Sequence, residues 1–425
     1  MRVIIIGGSI AGVCAAMEIR KQLPNAEICL IEKHTTIGYF PDNLFQNIEG
    51  QTKAPLFLAT KEELETVYQI TIYTQTAVAH IVGTNCLQTT DGRLWAFDRL
   101  IIATGSGQFS RLLSDSIGWD TTMKEQEQQV ALLEQINQAQ CIAIVGAGLL
   151  GMAFASALHQ LTKEVMIFER TQRPMIRYFD HEIGGKLQAQ LAATKIVSHF
   201  SEAVDDIEQT AEGAYCLTTD QGRYQADLVL LAVNTRPLWQ PFMEPLQENA
   251  DGTIWVDEYL QTSFPNVFAI GDAIQVTFLP TEESIYLSSV ANALRTAKVV
   301  SRNLVAPMVK DRGSVRPYTC QLFDHWYATV GMTKQEAIFS DRQLAILPIE
   351  LPKDGHLHLI YDEYTQQVVG GQIEAPKMNQ VVWQRLVYSV QQELTVTTCF
   401  QPDFFLRPLS ASELADTEVG LDAFR

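Results

Sequence analysis

Residues 1–33 read MRVIIIGGSIAGVCAAMEIRKQLPNAEICLIEK, and this stretch decides the first part of the fold. The β-branched run RVIII is typical of a strand buried on both faces. A glycine loop, GGSIAG, follows it, and then come a helix-like segment and a second apolar strand that ends at Glu32. This order predicts a dinucleotide-binding βαβ unit, in which the glycines permit a tight turn and the helix N-terminus faces the pyrophosphate. Ser9 replaces the usual middle glycine, and it is small enough to let the backbone approach a phosphate.

The same unit recurs at residues 141–170, CIAIVGAGLLGMAFASALHQLTKEVMIFER. Its loop keeps the full set of glycines, Gly146, Gly148 and Gly151. Glu169 near the end of the second strand is placed to accept hydrogen bonds from ribose hydroxyls and to repel a 2′-phosphate, which favours NADH over NADPH. Arg170 beside it is able to pair with that phosphate, so the choice of cofactor stays open. The alternative is that this loop only packs a helix against a strand.

Two further segments carry signals for a flavin. Residues 262–273, TSFPNVFAIGDA, combine a buried strand with a Gly-Asp turn, and a carboxylate at such a strand end can bond the ribityl hydroxyls, so Asp272 is the candidate. Residues 98–106, DRLIIATGS, form a buried strand that delivers Thr104 and Gly105 to the neighbourhood of the cofactor. Each segment alone also fits an ordinary strand and turn. In this order, the four segments predict FAD together with a nicotinamide dinucleotide.

Composition and charge restrict the classes of function. The chain has 425 residues and a formal net charge of −18, which argues against a nucleic acid or an anionic membrane surface as partner. This length predicts two or three domains. The N-terminal apolar run is too short for a transmembrane helix and too weakly charged for a signal peptide, so we expect a cytoplasmic protein. The 7 cysteines form no CxxC pair, which predicts free thiols in a reducing compartment and no zinc site.

The four segments together resemble the pyridine nucleotide-disulfide oxidoreductases, and the resemblance covers nearly the whole chain. It is strongest to the branch that contains NADH oxidase, NADH peroxidase and coenzyme A-disulfide reductase. Residues 226–237, ADLVLLAVNTRP, are similar to the strand that closes the family's NAD domain, with Asn234 in place of the usual glycine. Residues 320–337 and 360–373 resemble the family's dimerisation domain.

The resemblance implies an α/β fold with two Rossmann-like modules of the glutathione-reductase type and an α+β C-terminal dimerisation domain. The FAD-binding domain is expected at 1–117 and 246–310, the NAD(H)-binding domain at 118–245 and the dimerisation domain at 311–425. The resemblance also implies tightly held FAD, NADH as a substrate and a homodimer.

The expected contacts of the two cofactors follow from the motifs and the resemblance. The expected FAD contacts are Gly7, Gly8, Ser9, Gly12, Glu32, Lys33, Val78, Thr104, Gly105, Asp272 and Ala273. The expected NAD(H) contacts are Gly146, Gly148, Gly151 and Glu169. No metal ligands are expected.

The resemblance fails at the place where the branch carries its redox cysteine. The family segment is similar to SFLSCG, whereas this chain has IGYFPDN at residues 37–43, with Asp42 in the position of the cysteine. A carboxylate forms no thiolate–flavin pair and no sulfenic acid. Cys14 and Cys29 are predicted inside a helix and a strand, where they do not replace it. Asp42 is a candidate electrostatic or acid group beside the flavin, and it is equally suited to a plain turn in Phe-Pro-Asp-Asn.

Three more substitutions surround the expected flavin. Ile10 replaces a histidine of the peroxidase-type members, Leu149 replaces a tyrosine that gates the nicotinamide face, and Ala153 replaces a glutamate that lines this face. The sequence therefore predicts an NADH oxidase-like enzyme that passes hydride from NADH to FAD and then two electrons to dioxygen, giving hydrogen peroxide, or to another small acceptor. The alternatives are a non-catalytic FAD-binding sensor or partner-binding protein, and electron transfer to a protein acceptor. The sequence does not identify the physiological acceptor.

Overall fold

A computed structural model of the protein describes residues 1–40, 44–50, 56–108, 126–233, 235–238, 246–352 and 354–399. The N-terminal elements are β1 (Arg2–Ile6), α1 (Ile10–Gln22), β2 (Glu27–Ile31), β3 (Tyr39–Phe40), α2 (Leu44–Ile48), β4 (Leu56–Phe57), α3 (Lys61–Thr66), β5 (Thr71–Tyr73), β6 (Val78–Val82), β7 (Cys86–Thr89), β8 (Leu94–Ala96), β9 (Arg99–Ile102) and β10 (Ser106–Gln108). The next elements are α4 (Gln126–Gln138), β11 (Cys141–Val145), α5 (Leu149–Leu158), β12 (Glu164–Glu169), α6 (His181–Ala192), β13 (Val197–Phe200), β14 (Val204–Gln209), β15 (Tyr215–Thr219), β16 (Arg223–Ala226), β17 (Leu228–Leu231) and β18 (Thr235–Pro237).

The chain continues with elements that return to the first sheet and then with a separate sheet. The returning elements are β19 (Val267–Ala269), a 3₁₀ turn (Gly271–Ala273), β20 (Gln275–Phe278), β21 (Glu283–Tyr286) and α7 (Val290–Asn303). The last elements are β22 (Tyr318–Leu322), β23 (His325–Gly331), a 3₁₀ helix (Lys334–Phe339), β24 (Leu344–Leu351), β25 (Gly355–Asp362), β26 (Val368–Ala375) and α8 (Gln380–Gln391).

The first sheet is parallel and has the strand order β19-β9-β1-β2-β5. Its central strand is apolar on both faces, and Val3, Ile4 and Ile5 are fully buried, as expected for a parallel sheet that is covered on both sides. β19 comes from a distant part of the chain and pairs with β9, so the Gly-Asp turn ends up beside the N-terminal glycine loop. α1 packs against α7. Leu87 and Trp95 join the same core from the antiparallel sheet β6-β7-β8.

The middle segment repeats this arrangement with a second parallel sheet, β13-β12-β11-β17. The antiparallel sheet β14-β15-β16 packs against it, with Ile207 and Leu217 in the same core as Phe168 of β12. β10 and β18 pair antiparallel and connect the two segments. The second glycine loop therefore occupies the same place in its sheet as the first loop does in the first sheet.

The C-terminal segment is an antiparallel sheet, β22-β23-β26-β25-β24, with α8 packed on it through Leu386. Tyr327 of β23 is fully buried, its ring meets Phe179 of the middle segment edge to face at 5.7 Å, and its hydroxyl donates to Gln190 of α6 at 2.9 Å. This sheet is thus packed directly on the second parallel unit.

The structure confirms the predicted α/β fold with two Rossmann-like units and a further α+β segment. β25 and β26 pair as an antiparallel hairpin, and α6 begins directly after its N-cap residue Asp180. The domain limits stay a prediction, and Asn234 lies outside the described residues. Within the described ranges, no helix combines the length and the apolar character needed to cross a bilayer.

Candidate functional site

A cavity of about 890 Å³ opens at the carboxyl ends of the strands of the first parallel sheet. Ligands of open α/β sheets bind at this edge. The cavity is lined by all but two of the residues expected to contact FAD, namely Gly7, Gly8, Ser9, Glu32, Lys33, Val78, Thr104, Gly105 and Asp272. Gly12 and Ala273 do not line it.

The first glycine loop is shaped by backbone sterics. Gly7 has a φ of 107°, a conformation that L side chains rarely adopt. Gly12 lies in the first turns of α1, and a Cβ built there would come 1.9 Å from the carbonyl oxygen of Gly7. Gly12 therefore lets the helix approach the loop, which explains why the motif requires it although it does not line the cavity.

Glu32, which follows β2, connects the end of this strand to the glycine loop through a hydrogen bond. Its carboxylate accepts the Gly8 N–H at 2.6 Å and the His34 N–H at 2.9 Å, and the residue is only 9% exposed. Each oxygen of a carboxylate can accept two hydrogen bonds, so capacity remains for ribose hydroxyls.

The second glycine loop repeats this geometry. Gly146 has a φ of 101°, and Gly148 is the N-cap residue of α5. The Glu169 carboxylate accepts the Ala147 N–H at 2.8 Å and the Thr171 N–H at 2.9 Å, as Glu32 does in the first unit. The structure thus brings the expected NAD(H) residues together in one loop and at the end of the adjacent strand.

Asp272 lies in the 3₁₀ turn after β19 and faces the cavity. Its Oδ2 accepts the Ser106 hydroxyl at 2.8 Å and the Ser288 hydroxyl at 2.6 Å. Ala273 is instead fully buried, and its carbonyl accepts the Ile254 N–H at 2.8 Å, so this residue belongs to the core.

Several residues of the cavity wall were not predicted from the sequence. Ser106 and Ser288 come to Asp272 from distant parts of the chain, and no local motif marks them. Ser289 also lines the cavity and caps α7 by accepting the Asn292 N–H, so a serine before a helical run was a usable signal. Tyr39 is a further missed residue of the wall, although it lies in the segment IGYFPDN that the resemblance compares with the family's redox-cysteine segment.

Burial keeps two titratable side chains of the wall neutral. It lowers the pKa of His34, an effect that the neighbouring Lys33 charge reinforces. It raises the pKa of Tyr39 to about 12. The charged side chains among the described wall residues are therefore Glu32, Lys33 and Asp272.

The wall fits a large polar ligand. The hydroxyls of Thr104 and Tyr39 are buried and have no hydrogen-bond partner among the described residues. Buried polar groups are normally satisfied, so they suit a ligand that brings its own acceptors. The volume lies in the upper part of the range of ligand pockets. The residues present are therefore suited to hold FAD, with the glycine loop at its diphosphate and Asp272 at its ribityl chain.

The residues that depart from the family pattern lie in different places. Ile10 begins α1 and lines the cavity. Leu149 and Ala153 are half-buried in α5 and pack against the core of the second unit. Asp42 lies outside the described residues.

All 7 cysteines lie in described parts of the chain, and none is in a disulfide or lines the cavity. Burial raises the pKa of the Cys14 and Cys29 thiols beside the first sheet. It raises the pKa of Cys320 to about 12. Within the described ranges, no group of three or more His, Cys, Asp or Glu residues is arranged to hold a metal ion.

Two parallel-sheet units, each with a glycine loop tied to a carboxylate, define a protein that binds two dinucleotides. Residues 1–297 match the family model described as pyridine nucleotide-disulphide oxidoreductase. The chain belongs to this family. It is therefore an NAD(P)H-dependent flavoprotein oxidoreductase with FAD and NAD(H) as cofactors, which confirms the expectation from the sequence.

Individual relatives support the same assignment. The chain is 25% identical to an NADH oxidase of Enterococcus faecalis over 434 residues, which cover 96% of each protein. It is 32% identical to a solved pyridine nucleotide-disulfide family oxidoreductase from Enterococcus faecalis, with a TM-score of 0.85 over 100% of this chain and 98% of the other. The water-forming NADH oxidase of Lactobacillus brevis bound to NADH has a TM-score of 0.88 at 24% identity, over 96% of this chain and 94% of the other, and shares the fold.

Proposed function

We propose that the protein is an NADH oxidase that reduces dioxygen to hydrogen peroxide, with the balance NADH + H⁺ + O₂ → NAD⁺ + H₂O₂. When bound, FAD supplies the redox step, because it takes a hydride from NADH and passes the electron pair to the acceptor. The observation that carries the proposal is that no cysteine lines the cavity, although every cysteine lies in the described ranges.

A thiolate is the group that peroxide removal would need. It attacks the O–O bond of peroxide and becomes a sulfenic acid, whereas dioxygen needs only access to the reduced cofactor. Cys14 and Cys29 are the thiols in the elements next to the glycine loop, and burial holds both in the protonated form. Ile10 adds an apolar side chain to the wall instead of a proton donor. The chain therefore lacks, within the described wall, the groups that would carry peroxide on to water.

The stoichiometry of turnover tests this proposal. We expect NADH to bleach the flavin without air, and we expect about one peroxide per NADH once air is admitted, because hydride transfer is a two-electron reaction. The measurement is NADH absorbance against a peroxide assay in the same sample. Cys14→Ala and Cys29→Ala serve as controls and should leave the yield unchanged. Water as the main product, or rapid anaerobic oxidation of NADH by added peroxide, would overturn the proposal.

The choice of nicotinamide cofactor gives a second test. The Glu169 carboxylate accepts two backbone N–H groups at the second loop and would sit beside a 2′-phosphate of NADPH. We expect flavin reduction to prefer NADH by about 10- to 100-fold in kcat/KM, which corresponds to the loss of one charged hydrogen bond. Arg170 is exposed, and Arg170→Ala should increase the preference for NADH because it weakens the binding of NADPH. Equal or faster reduction by NADPH would contradict the assignment.

A non-catalytic FAD-binding protein is the second candidate, and one observation favours it. Leu149 and Ala153 at the start of α5 pack into an apolar core, so the second loop presents aliphatic side chains there. In the anaerobic titration, a flavin that neither NADH nor NADPH reduces would support this candidate.

The proposal also covers the oligomeric state, the domain limits and the cellular compartment of the protein. We infer a homodimer formed by residues 311–425, with the FAD-binding domain at 1–117 and 246–310 and the NAD(H)-binding domain at 118–245. Sedimentation at the mass of one chain would contradict the homodimer. Seven cysteines outside disulfides fit the reducing cytoplasm.

A further inference from the structure

Tyr39 forms part of the cavity wall and is held against the first glycine loop. It lies in β3, where it pairs with Phe57 of β4. Gly38, the residue before it, donates its N–H to the Gly8 carbonyl at 2.7 Å, and its own carbonyl accepts the Leu58 N–H at 2.8 Å. The main chain directly before Tyr39 is therefore fixed by two hydrogen bonds, one of which is made to Gly8 of the loop.

The side chain of Tyr39 is fixed as well. It is 4% exposed, and its ring meets the Phe57 ring edge to face at 6.1 Å. Its hydroxyl is buried and has no hydrogen-bond partner among the described residues. A phenylalanine would fill this wall equally well and would not bury an unsatisfied hydroxyl. The hydroxyl is thus costly in the protein alone, and a ligand in the cavity is the partner that would offset the cost.

We propose that the Tyr39 hydroxyl donates a hydrogen bond to the diphosphate of FAD. The diphosphate is assigned as the acceptor because Gly38, the residue before Tyr39, is bonded to Gly8, and the loop with the α1 N-terminus is the anion-binding part of the site. Asp272, the residue expected at the ribityl chain, and its partner Ser288 belong to different elements. The proposal depends on FAD binding in this cavity and is independent of the electron acceptor and its product.

The protonation of Tyr39 suits this role. Burial raises its pKa to about 12, so the hydroxyl keeps its proton at neutral pH and acts as a neutral donor. Hydrogen bonds from a neutral donor to an anionic acceptor are stronger than those between neutral groups.

Tyr39→Phe tests the proposal in the full-length chain, since it removes one oxygen and keeps the ring. We expect FAD to bind about 10- to 100-fold more weakly, as for the loss of a hydrogen bond to a charged group. We also expect the flavin-free variant to unfold at the same or a higher temperature, because an unsatisfied hydroxyl is removed. A hydroxyl with a merely structural role would lower the unfolding temperature and leave FAD affinity unchanged, and that result would overturn the proposal.

Fragments of the cofactor identify the acceptor. ADP carries the diphosphate without the flavin, and riboflavin carries the flavin without the diphosphate. Tyr39→Phe should weaken ADP binding by a factor similar to that for FAD and should leave riboflavin binding unchanged. Weaker riboflavin binding with unchanged ADP binding would overturn the proposal, because the donor would then serve the flavin.

Tyr73→Phe is the matched control. Tyr73 lies in β5 of the first parallel sheet, is half-buried, packs edge to face on Trp95 at 4.5 Å and does not line the cavity. Its substitution removes the same atom from the same fold and should leave the affinities for FAD, ADP and riboflavin unchanged. An equal loss of FAD affinity in both variants would overturn the proposal. The loss would then result from a general change in the fold and not from the missing hydroxyl in the cavity wall.

Discussion

Gly12→Ala is expected to abolish retention of FAD and to destabilise the first parallel unit. The new Cβ would lie 1.9 Å from the Gly7 carbonyl oxygen and 3.3 Å from Ile5 Cγ2. The closer neighbour is backbone at a residue with a φ of 107°, so no side-chain rotation relieves the contact. Overpacking of this kind costs about 3 kcal/mol or more when the neighbour is rigid. We expect the purified variant to be colourless, with FAD affinity at least about 100-fold weaker.

Gly185→Ala is the matched control for this substitution. Gly185 also lies in a helix, α6, but nothing is within 4 Å of the Cβ position. Alanine there should raise the free energy of unfolding by about 0.5–1 kcal/mol through helix propensity, and FAD retention should be unchanged. A yellow, fully loaded Gly12→Ala protein with an unchanged unfolding temperature would refute the packing argument.

Gly12 and Ala273 also mark a limit of what the sequence could predict. The motif predicts Gly12 as an FAD contact, but Gly12 does not line the cavity, because spacing does not separate a glycine that touches a ligand from one that lets a helix approach a loop. Asp272 and Ala273 are neighbours in the 3₁₀ turn, but Asp272 faces the cavity and Ala273 is buried in the core. Local pattern therefore predicts the loop and leaves the direction of each side chain undetermined.

The two glycine loops were predictable because each belongs to a βαβ unit that is contiguous in the sequence. A buried strand, a glycine turn, a helix and a carboxylate at the end of the next strand lie within one short stretch, and the structure forms this unit twice. Ser106 and Ser288 were not predictable, because they meet at Asp272 only after β19 pairs with β9. The position of Tyr39 in the wall depends on the pairing of two short strands, β3 and β4, which no sequence pattern predicts. The wall beyond the glycine loop is thus a product of tertiary structure.

Glu32→Ala is expected to weaken FAD binding by about 100-fold or more. The carboxylate accepts two N–H groups, from Gly8 at 2.6 Å and from His34 at 2.9 Å, and the residue is 9% exposed. Hydrogen bonds to charged groups contribute about 1.5–3 kcal/mol each, so the loss of two such bonds to ribose hydroxyls corresponds to about 3 kcal/mol or more of binding free energy. The loop then loses its tie to β2, and the adenosine ribose loses its acceptor. Equilibrium binding of FAD to the flavin-free variant measures the effect.

Glu169→Ala provides the comparison that makes this prediction specific. Glu169 makes the equivalent bonds in the second unit, to the N–H groups of Ala147 and Thr171. Its removal should leave the protein yellow and should slow flavin reduction at limiting NADH, whereas Glu32→Ala should lose the flavin first. The two variants remove the same carboxylate from two copies of one βαβ unit. If the effect were only a general loss of stability, both variants would lose FAD equally. Equal losses of FAD would contradict the assignment of FAD to the first loop and NADH to the second. Loss of FAD from Glu32→Ala alone would support it, because each carboxylate holds two backbone N–H groups in its own unit.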